Sequence, residues 1–518
     1  MFSPLVSLNS LSLRIDRACL LIVDKLDLFC GEHYCVVGGN GAGKTMLARV
    51  LSGIQRVTSD SLSVSEGFEP RRDVHWVSFE EQQRIWEREN RHDISEFESR
   101  AIDVGTIVTV MIRDSRSENC QDDELFHSLV SSLNLGDLLD RGIRYLSSGQ
   151  IRRVLIARAL YASHGDHAQV IILDDPLASI DLDSQALIRG VLARHRPRVS
   201  IIIELCRRPQ DRLEGATRIV VMEATQSTQG RELALIAHGE VAAMESTEAY
   251  RRFSEHKQPN TDALEMLLRK LADEEVLDDD IEKPLLELRG VSANYGEKVI
   301  LSDVNWVMDS KDNILIAGPN GCGKSTLLAL IDGDSHKGYG QELWLFGRRK
   351  GSGETLWETK RQFGVVSNEL HNRYLKGWRA GEVVMSGFFD SEGLYDTPSA
   401  QQLDLAKQWL AALGQADIAG HAYASLSFGQ QRLVLLARAM VKSPKILVLD
   451  EACVGLDNDY LEIVLRSVDR IVENTSTRLL FVSHSADEMP RCINRKLGFR
   501  KLPDGSHTLV EDKDGLVR

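Results

Sequence analysis

The sequence has no run approaching the ~20 consecutive apolar residues that cross a bilayer, so it carries no transmembrane helix of its own. It also lacks paired cysteines. The eight present, Cys19, Cys30, Cys35, Cys120, Cys206, Cys322, Cys453 and Cys492, form no CxxC pair and no metal-ligand spacing. They are expected to be reduced, mostly buried thiols of a cytoplasmic protein. Met1 to Ile15 shows no basic segment followed by an apolar stretch, so no signal peptide is expected. A basic excess is missing as well. Lys and Arg number 62 against 76 Asp and Glu, and the net charge of −14 argues against nucleic acid or anionic lipid as a partner.

What the chain does contain is a repeat. Its 518 residues exceed what one core organises. Gly-Gly-Asn-Gly-Ala-Gly-Lys-Thr at 38–45 returns as Gly-Pro-Asn-Gly-Cys-Gly-Lys-Ser at 318–325, and Leu-Ser-Ser-Gly-Gln at 146–150 returns as Leu-Ser-Phe-Gly-Gln at 426–430; both pairs lie 280 positions apart. The apolar run ending in Asp174-Asp175 returns as the run ending in Asp450-Glu451. Three motifs in one order imply two homologous domains, 1–251 and 285–518. Residues 252–284 are polar, acidic and close on Pro284, which reads as a linker; a helical hairpin packed on one domain is the alternative.

Each glycine-rich loop follows a short apolar strand (Tyr34–Val37, Ile314–Ala317) and opens a helical pattern (Met46–Leu51, Thr326–Ile331), the context that gives the motif meaning. Apolar Val170–Leu173 and Ile446–Leu449 read as buried parallel strands. The alternating segments Leu286–Tyr295 and Val299–Met308 suggest a small antiparallel sheet. Helix-rich inserts are expected near 85–145 and 370–425. The fold class is therefore α/β: two phosphate-loop domains, each with a parallel core, a small antiparallel β subdomain and a helical subdomain bearing the Leu-Ser motif.

The GxxxxGK[ST] loops suit a triphosphate, because successive backbone N–H groups and a helix N-terminus converge on anionic oxygens. The ATP-binding set is Gly38, Asn40, Gly41, Gly43, Lys44 and Thr45, with Gly318, Asn320, Gly321, Gly323, Lys324, Ser325 and Thr326 in the second copy. Lys44 and Lys324 are expected to reach the β- and γ-phosphates, and Thr45 and Ser325 to hold Mg²⁺. Asp174 and Asp450 end buried strands, where a carboxylate needs a partner, and Mg²⁺ is the candidate. Glu451 follows, placed to orient attacking water. His484, at the end of another apolar strand, is a candidate for γ-phosphate contact.

The Leu-Ser-x-Gly-Gln repeats resemble the signature of ABC ATPases, and the layout outside 252–284 is similar to that family's. The resemblance implies that two domains face each other, so that each ATP lies between one domain's phosphate loop and the other's signature. Ser427, Gly429 and Gln430 then serve the Lys44 site, and Ser147, Gly149 and Gln150 serve the Lys324 site. It also implies that Tyr295 stacks on adenine, and that Ser179-Ile180-Asp181 and Gly455-Leu456-Asp457 belong to loops crossing between the domains.

Against that pattern the Lys44 site departs three times. Asp175 stands where the family has the water-orienting glutamate, which retracts the carboxylate by about 1.5 Å. Phe428 replaces a signature glycine and is expected to crowd the nucleotide. No imidazole occurs in Ile201–Cys206. The first domain also offers no stacking aromatic within Leu11–Asp16. The Lys324 site keeps Glu451, His484 and Tyr295; its departure is Asn368, where the family has a glutamine that can serve Mg²⁺ or water. In the first domain Val77-Ser78-Phe79-Glu80 supplies no aligned glutamine unless Gln82 shifts into register. Slow turnover with Asp175 and full turnover with Glu451 are expected.

Leu345–Arg349, Gly351–Trp357, Ser386–Ser391 and Leu426–Leu433 are similar to segments of ModF-type proteins, tandem ATPases described as molybdenum-transport ATP-binding or photorepair proteins. That resemblance implies a motor for a membrane permease on a separate chain, for molybdate or a similar substrate, working in the cytoplasm or on the cytoplasmic face of the inner membrane. A soluble ATP switch acting on a non-membrane partner remains the alternative. The short acidic segment 252–284 argues against the ribosome, since ABC-F ribosome factors carry a longer basic arm there. The inserts are too short for the coiled coil of a chromosome-maintenance ATPase. Trp344, Phe346 and Trp357 around Arg348-Arg349-Lys350 read either as a solvated turn or as a partner surface.

Overall fold

The computed structural model describes the chain apart from residues 1–2, 17–18, 59, 79–80, 83, 86–87, 90–104, 117–121, 165–166, 179, 181, 228–229, 255–260, 275–282, 296–297, 334, 375–376, 484–488 and 512–518. It divides into two compact units, Met1–Glu255 and His256–Arg518.

The first unit is built on nine strands: β1 (Val6–Asp16), β2 (Cys19–Leu28), β3 (His33–Val37), β4 (Leu62–Val64), β5 (Val74–Val77), β6 (Val170–Asp174), β7 (Ile201–Cys206), β8 (Arg218–Ser227) and β9 (Gly230–Glu240). They form one sheet in the order β4-β1-β2-β9-β8-β3-β7-β6-β5. The stretch β8-β3-β7-β6-β5 is parallel throughout. Its central strands β3, β7 and β6 are apolar runs, as a sheet covered on both faces requires; every residue of β3 and β7 is buried. The pairs β1·β2 and β8·β9 are antiparallel.

The second unit repeats this order with one strand more. Its strands are β10 (Leu286–Tyr295), β11 (Lys298–Met308), β12 (Ile314–Ala317), β13 (Glu342–Leu345), β14 (Arg348–Arg349), β15 (Phe363–Ser367), β16 (Ile446–Asp450), β17 (Arg478–Val482), β18 (Arg495–Lys501) and β19 (His507–Glu511), in the order β14-β13-β10-β11-β19-β18-β12-β17-β16-β15. The expected antiparallel pair is β10·β11, and it continues the same sheet as the parallel core. β14 closes a hairpin on β13, which accounts for Arg348 and Arg349. Trp344 there packs against two guanidinium groups, Arg289 at 4.7 Å and Arg349 at 5.9 Å from its ring centre.

The acidic segment contains a helix, Asp262–Glu274, that packs on the second unit. Leu264, Leu267 and Leu268 lie on one helical face and are buried in that unit's largest apolar cluster, while Met266 on the other face is exposed. Arg470 pairs with Glu265 at 3.0 Å beside them. Leu268, fully enclosed, anchors the contact. Leu268→Ala is expected to lower the unfolding free energy of the second unit by about 2–5 kcal/mol. Denaturant unfolding followed in the full chain reads this, and an unchanged midpoint would show the helix to be undocked. No helix among the described residues is long and apolar enough to cross a membrane.

Candidate functional site

In both units the glycine-rich loop leaves the C-terminal end of a central parallel strand, the position at which open α/β sheets bind ligands. β3 leads into residues 38–43 and the helix Lys44–Leu51; β12 leads into 318–323 and the helix Lys324–Asp332. The last loop glycines, Gly43 and Gly323, cap these helices in the left-handed region at φ 98° and 108°. Only glycine enters that region freely. A Cβ there would also meet Leu233 at 3.0 Å in the first unit and Leu301 at 2.6 Å in the second.

Both lysines lie folded over their loops. Lys44 Nζ donates to the carbonyls of Gly38 (2.5 Å) and Gly39 (3.0 Å), and Lys324 Nζ to those of Gly318 (2.8 Å) and Pro319 (3.0 Å). Each ammonium is thus held against the start of its own loop. Asn40, Gly41, Asn320 and Gly321 form the turn of each loop, with Gly41 at φ 75° and Gly321 at φ 81°. Thr45 Oγ1 donates to Asp174 Oδ2 at 3.3 Å, joining the loop helix to the end of β6. Ser325 is exposed at the matching place and Thr326 half-buried one residue on. Burial and the neighbouring Asp175 push the Asp174 carboxyl up, against the pull of Arg207, Lys44 and Thr45.

After Asp174 and Asp450 the backbone turns alike in the two units. Asp175 and Glu451 both sit in the left-handed region, at φ 45° and 51°. Their amides donate to Leu205 and Val482, at 3.3 and 3.0 Å. Non-glycine residues avoid this conformation, and its repetition marks a position that the surroundings impose. The side chains differ. Asp175 is buried and ion-paired with the Arg207 guanidinium through Nε. Glu451 is half-buried.

Strand register identifies what Arg207 is. Leu205 lies opposite Asp174 and Val36, and Val482 lies opposite Asp450 and Ile316. Leu205 and Val482 are therefore equivalent, and two residues further on Arg207 takes the place of His484. His484 itself lies outside the described residues. Arg207 stands one residue beyond the apolar run Ile201–Cys206, past the end of the strand, so the run itself gives no sign of it.

The same register places Asn368, directly after Ser367, at the end of β15 beside Asp450. Its amide oxygen accepts a hydrogen bond from Arg432. Arg432 also donates to the Ser367 carbonyl at 3.3 Å, and burial draws its guanidinium down to about 10. The first unit's counterpart of Asn368 is Phe79, outside the described residues, and not Gln82, which is buried three residues further on.

The two signatures are helix caps. Ser147 accepts from Gln150 N at 3.3 Å while its own amide donates to Gln150 Oε1 at 2.9 Å; Ser427 and Gln430 repeat this at 3.3 and 3.0 Å. Each thereby presents the N-terminus of a long helix, Ser148–Ser163 or Phe428–Met440, a setting suited to an anion. Gly149 is buried in the first turn. Gly429 lies under the Tyr460 ring, which a Cβ would meet at 2.1 Å. The Phe428 ring stacks on the Arg432 guanidinium at 4.6 Å and meets His371 edge-on at 5.3 Å, both within its own unit.

Tyr295 closes β10 opposite Lys298; its ring lies outside the described side chains. The matching pair in the first unit is Asp16 and Cys19. Ser179 and Asp181 lie outside the described residues, whereas Asp457 caps the helix Asn458–Asn474. A cluster that spacing did not reveal is Cys35, Glu204 and Cys206, gathered within 4.8 Å by the pairing of β3 with β7. Both Glu204 oxygens accept from Leu213 N at 3.0 Å, and burial raises this carboxyl to about 7.

Two phosphate loops, each beside a strand-end carboxylate and accompanied by a serine-capped signature helix, define a tandem P-loop nucleotide-binding protein. Residues 23–178 and 301–454 match the family model described as ABC transporter, so the chain belongs to that family and is an ATPase. It is 33% identical over 505 residues to the ABC transporter ATP-binding protein ModF of Escherichia coli, covering 95% of this chain and 96% of that one. An uncharacterized ABC transporter ATP-binding protein of Schizosaccharomyces pombe is 25% identical over 480 residues. Among solved structures the archaeal ribosome recycling factor aABCE1, in complex with ribosomal stalk protein aP1, matches with a TM-score of 0.58 at 16% identity over 98% of this chain and 91% of that one. The RNase-L inhibitor matches with a TM-score of 0.56 at 15% identity, covering 97% and 90%. These last likenesses concern the fold.

Proposed function

We propose that the chain is an ATP-driven motor with two unequal sites. The second unit turns ATP over through Lys324, Asp450 and Glu451 with Mg²⁺, and the first, with Lys44, Asp174 and Asp175, retains ATP and hydrolyses it slowly. The observation that carries the asymmetry is the Asp175–Arg207 ion pair at the position where the second unit has Glu451. A carboxylate engaged by a guanidinium, and one methylene shorter, is less suited to orient water than the longer Glu451. The pairing of each loop with the opposite signature, which the family resemblance implies, belongs to the same proposal.

The motor's partner is proposed to be a membrane permease on a separate chain, carrying molybdate or a similar oxyanion, with this chain on the cytoplasmic face of the inner membrane. Likeness to the Escherichia coli protein along nearly the whole chain supports this reading. Affinity capture from detergent-solubilised membranes, with Glu451→Gln holding ATP in place, is the test. A co-purifying permease is expected. Recovery of ribosomes, or of soluble proteins alone, would replace the transport reading with that of an ATP switch.

A further inference from the structure

We propose that Arg207 is the cation that meets the terminal phosphate of a nucleoside triphosphate in the first unit, and that Asp175 is its resting partner. The inference rests on the reading of that unit as a slow ATP site and names the residue that recognises the ligand there.

Three observations converge. Cys206 pairs with Val37, so Arg207 follows β7 at the level where Gly38 begins the phosphate loop. The strand register that equates Leu205 with Val482 puts Arg207 at the position of His484. Its side chain is 26% exposed while that of Asp175 is 8% exposed, so the carboxylate is buried while part of the Arg207 side chain reaches solvent. The adjacent Arg208 is no competitor, because Asp211 holds it through two bonds of 2.8 and 2.9 Å. Arg152 is also committed. It is buried against the Asp174 and Asp175 carbonyls, at 3.4 Å each.

The chemistry favours an exchange. A guanidinium presents the same planar fork to a carboxylate and to a phosphoryl group. A terminal phosphate carries more charge and more acceptor oxygens than Asp175. A triphosphate therefore draws Arg207 from Asp175, whereas a diphosphate leaves the pair intact. The unit reads the difference between the two without needing a proton on an imidazole.

Equilibrium binding of ATP and ADP, with Mg²⁺, to the full chain carrying Lys324→Ala isolates the first site. Arg207→Ala is expected to weaken ATP by about tenfold or more, the cost of one charged hydrogen bond, while ADP stays within about twofold. Arg207→His should recover part of the loss. Asp175→Asn should tighten ATP, because the competing carboxylate is gone. An unchanged ATP-to-ADP ratio in Arg207→Ala overturns the proposal. Should that variant lose both nucleotides through misfolding, Asp175→Asn decides alone, and unchanged ATP affinity there overturns it equally. Rapid hydrolysis by the Lys324→Ala chain would instead sink the slow-site reading and leave the ATP-to-ADP ratio to judge Arg207.

Discussion

Glu451→Gln is expected to lower ATP turnover of the chain by about 10²–10⁴-fold, the range lost when a positioned general base is removed. Asp175→Asn is expected to leave most of the turnover in place. The two positions share a backbone. Both follow a buried strand, both are left-handed, and both donate their amide to the neighbouring strand. The difference therefore lies in the side chains alone. Asp175 is shorter by a methylene and tied to Arg207. A displacement near 1 Å at a reacting centre costs about 100-fold, and the shorter arm retracts the carboxylate by more than that. Steady-state ATPase of the two single variants reads the contrast, and abolition by Asp175→Asn with activity surviving Glu451→Gln would reverse the assignment of the sites.

Gly323→Ala is expected to remove ATP binding from the second unit and reduce the bound nucleotide from two per chain to one. The residue sits at φ 108°, a conformation that costs an L-residue about 1–2 kcal/mol. A methyl group there would stand 2.6 Å from Leu301 and 3.1 Å from Ile300, on the strand that runs beneath the loop. The Leu301 side chain must give way to the methyl, and together with the left-handed strain this is expected to spoil the loop's fit to phosphate. Titration with ATP at equilibrium counts the sites. Two undiminished sites in Gly323→Ala would show that the loop tolerates the methyl and that its conformation is not what holds nucleotide.

How much of this was legible beforehand depended on distance along the chain. The loops, their helices and the strands ending in Asp174 and Asp450 were legible because each is a contiguous pattern: glycines followed by lysine, or an apolar run closed by a carboxylate. The antiparallel strands β10 and β11 were legible from alternation, with β11 beginning one residue earlier than expected. Side-chain partners across the sheet were not. That Arg432 takes the oxygen of Asn368, that Phe428 meets His371, and that Cys35 meets Glu204 and Cys206 all follow from pairings between segments far apart in sequence. The acidic segment left two readings open for a related reason. Its charges dominate the composition, yet a leucine at every third or fourth position suffices to dock Asp262–Glu274.

The kinked peptide after β6 carries a further meaning. Glycine would adopt φ 45° without penalty, and a degraded site with no remaining task would be free to take it. The first unit keeps an aspartate there instead, at a cost of about 1–3 kcal/mol in backbone strain. That tension is met by the contacts around the residue, the Arg207 ion pair and the Leu205 carbonyl, so the carboxylate is what the proposed slow site has to hold Arg207 in place.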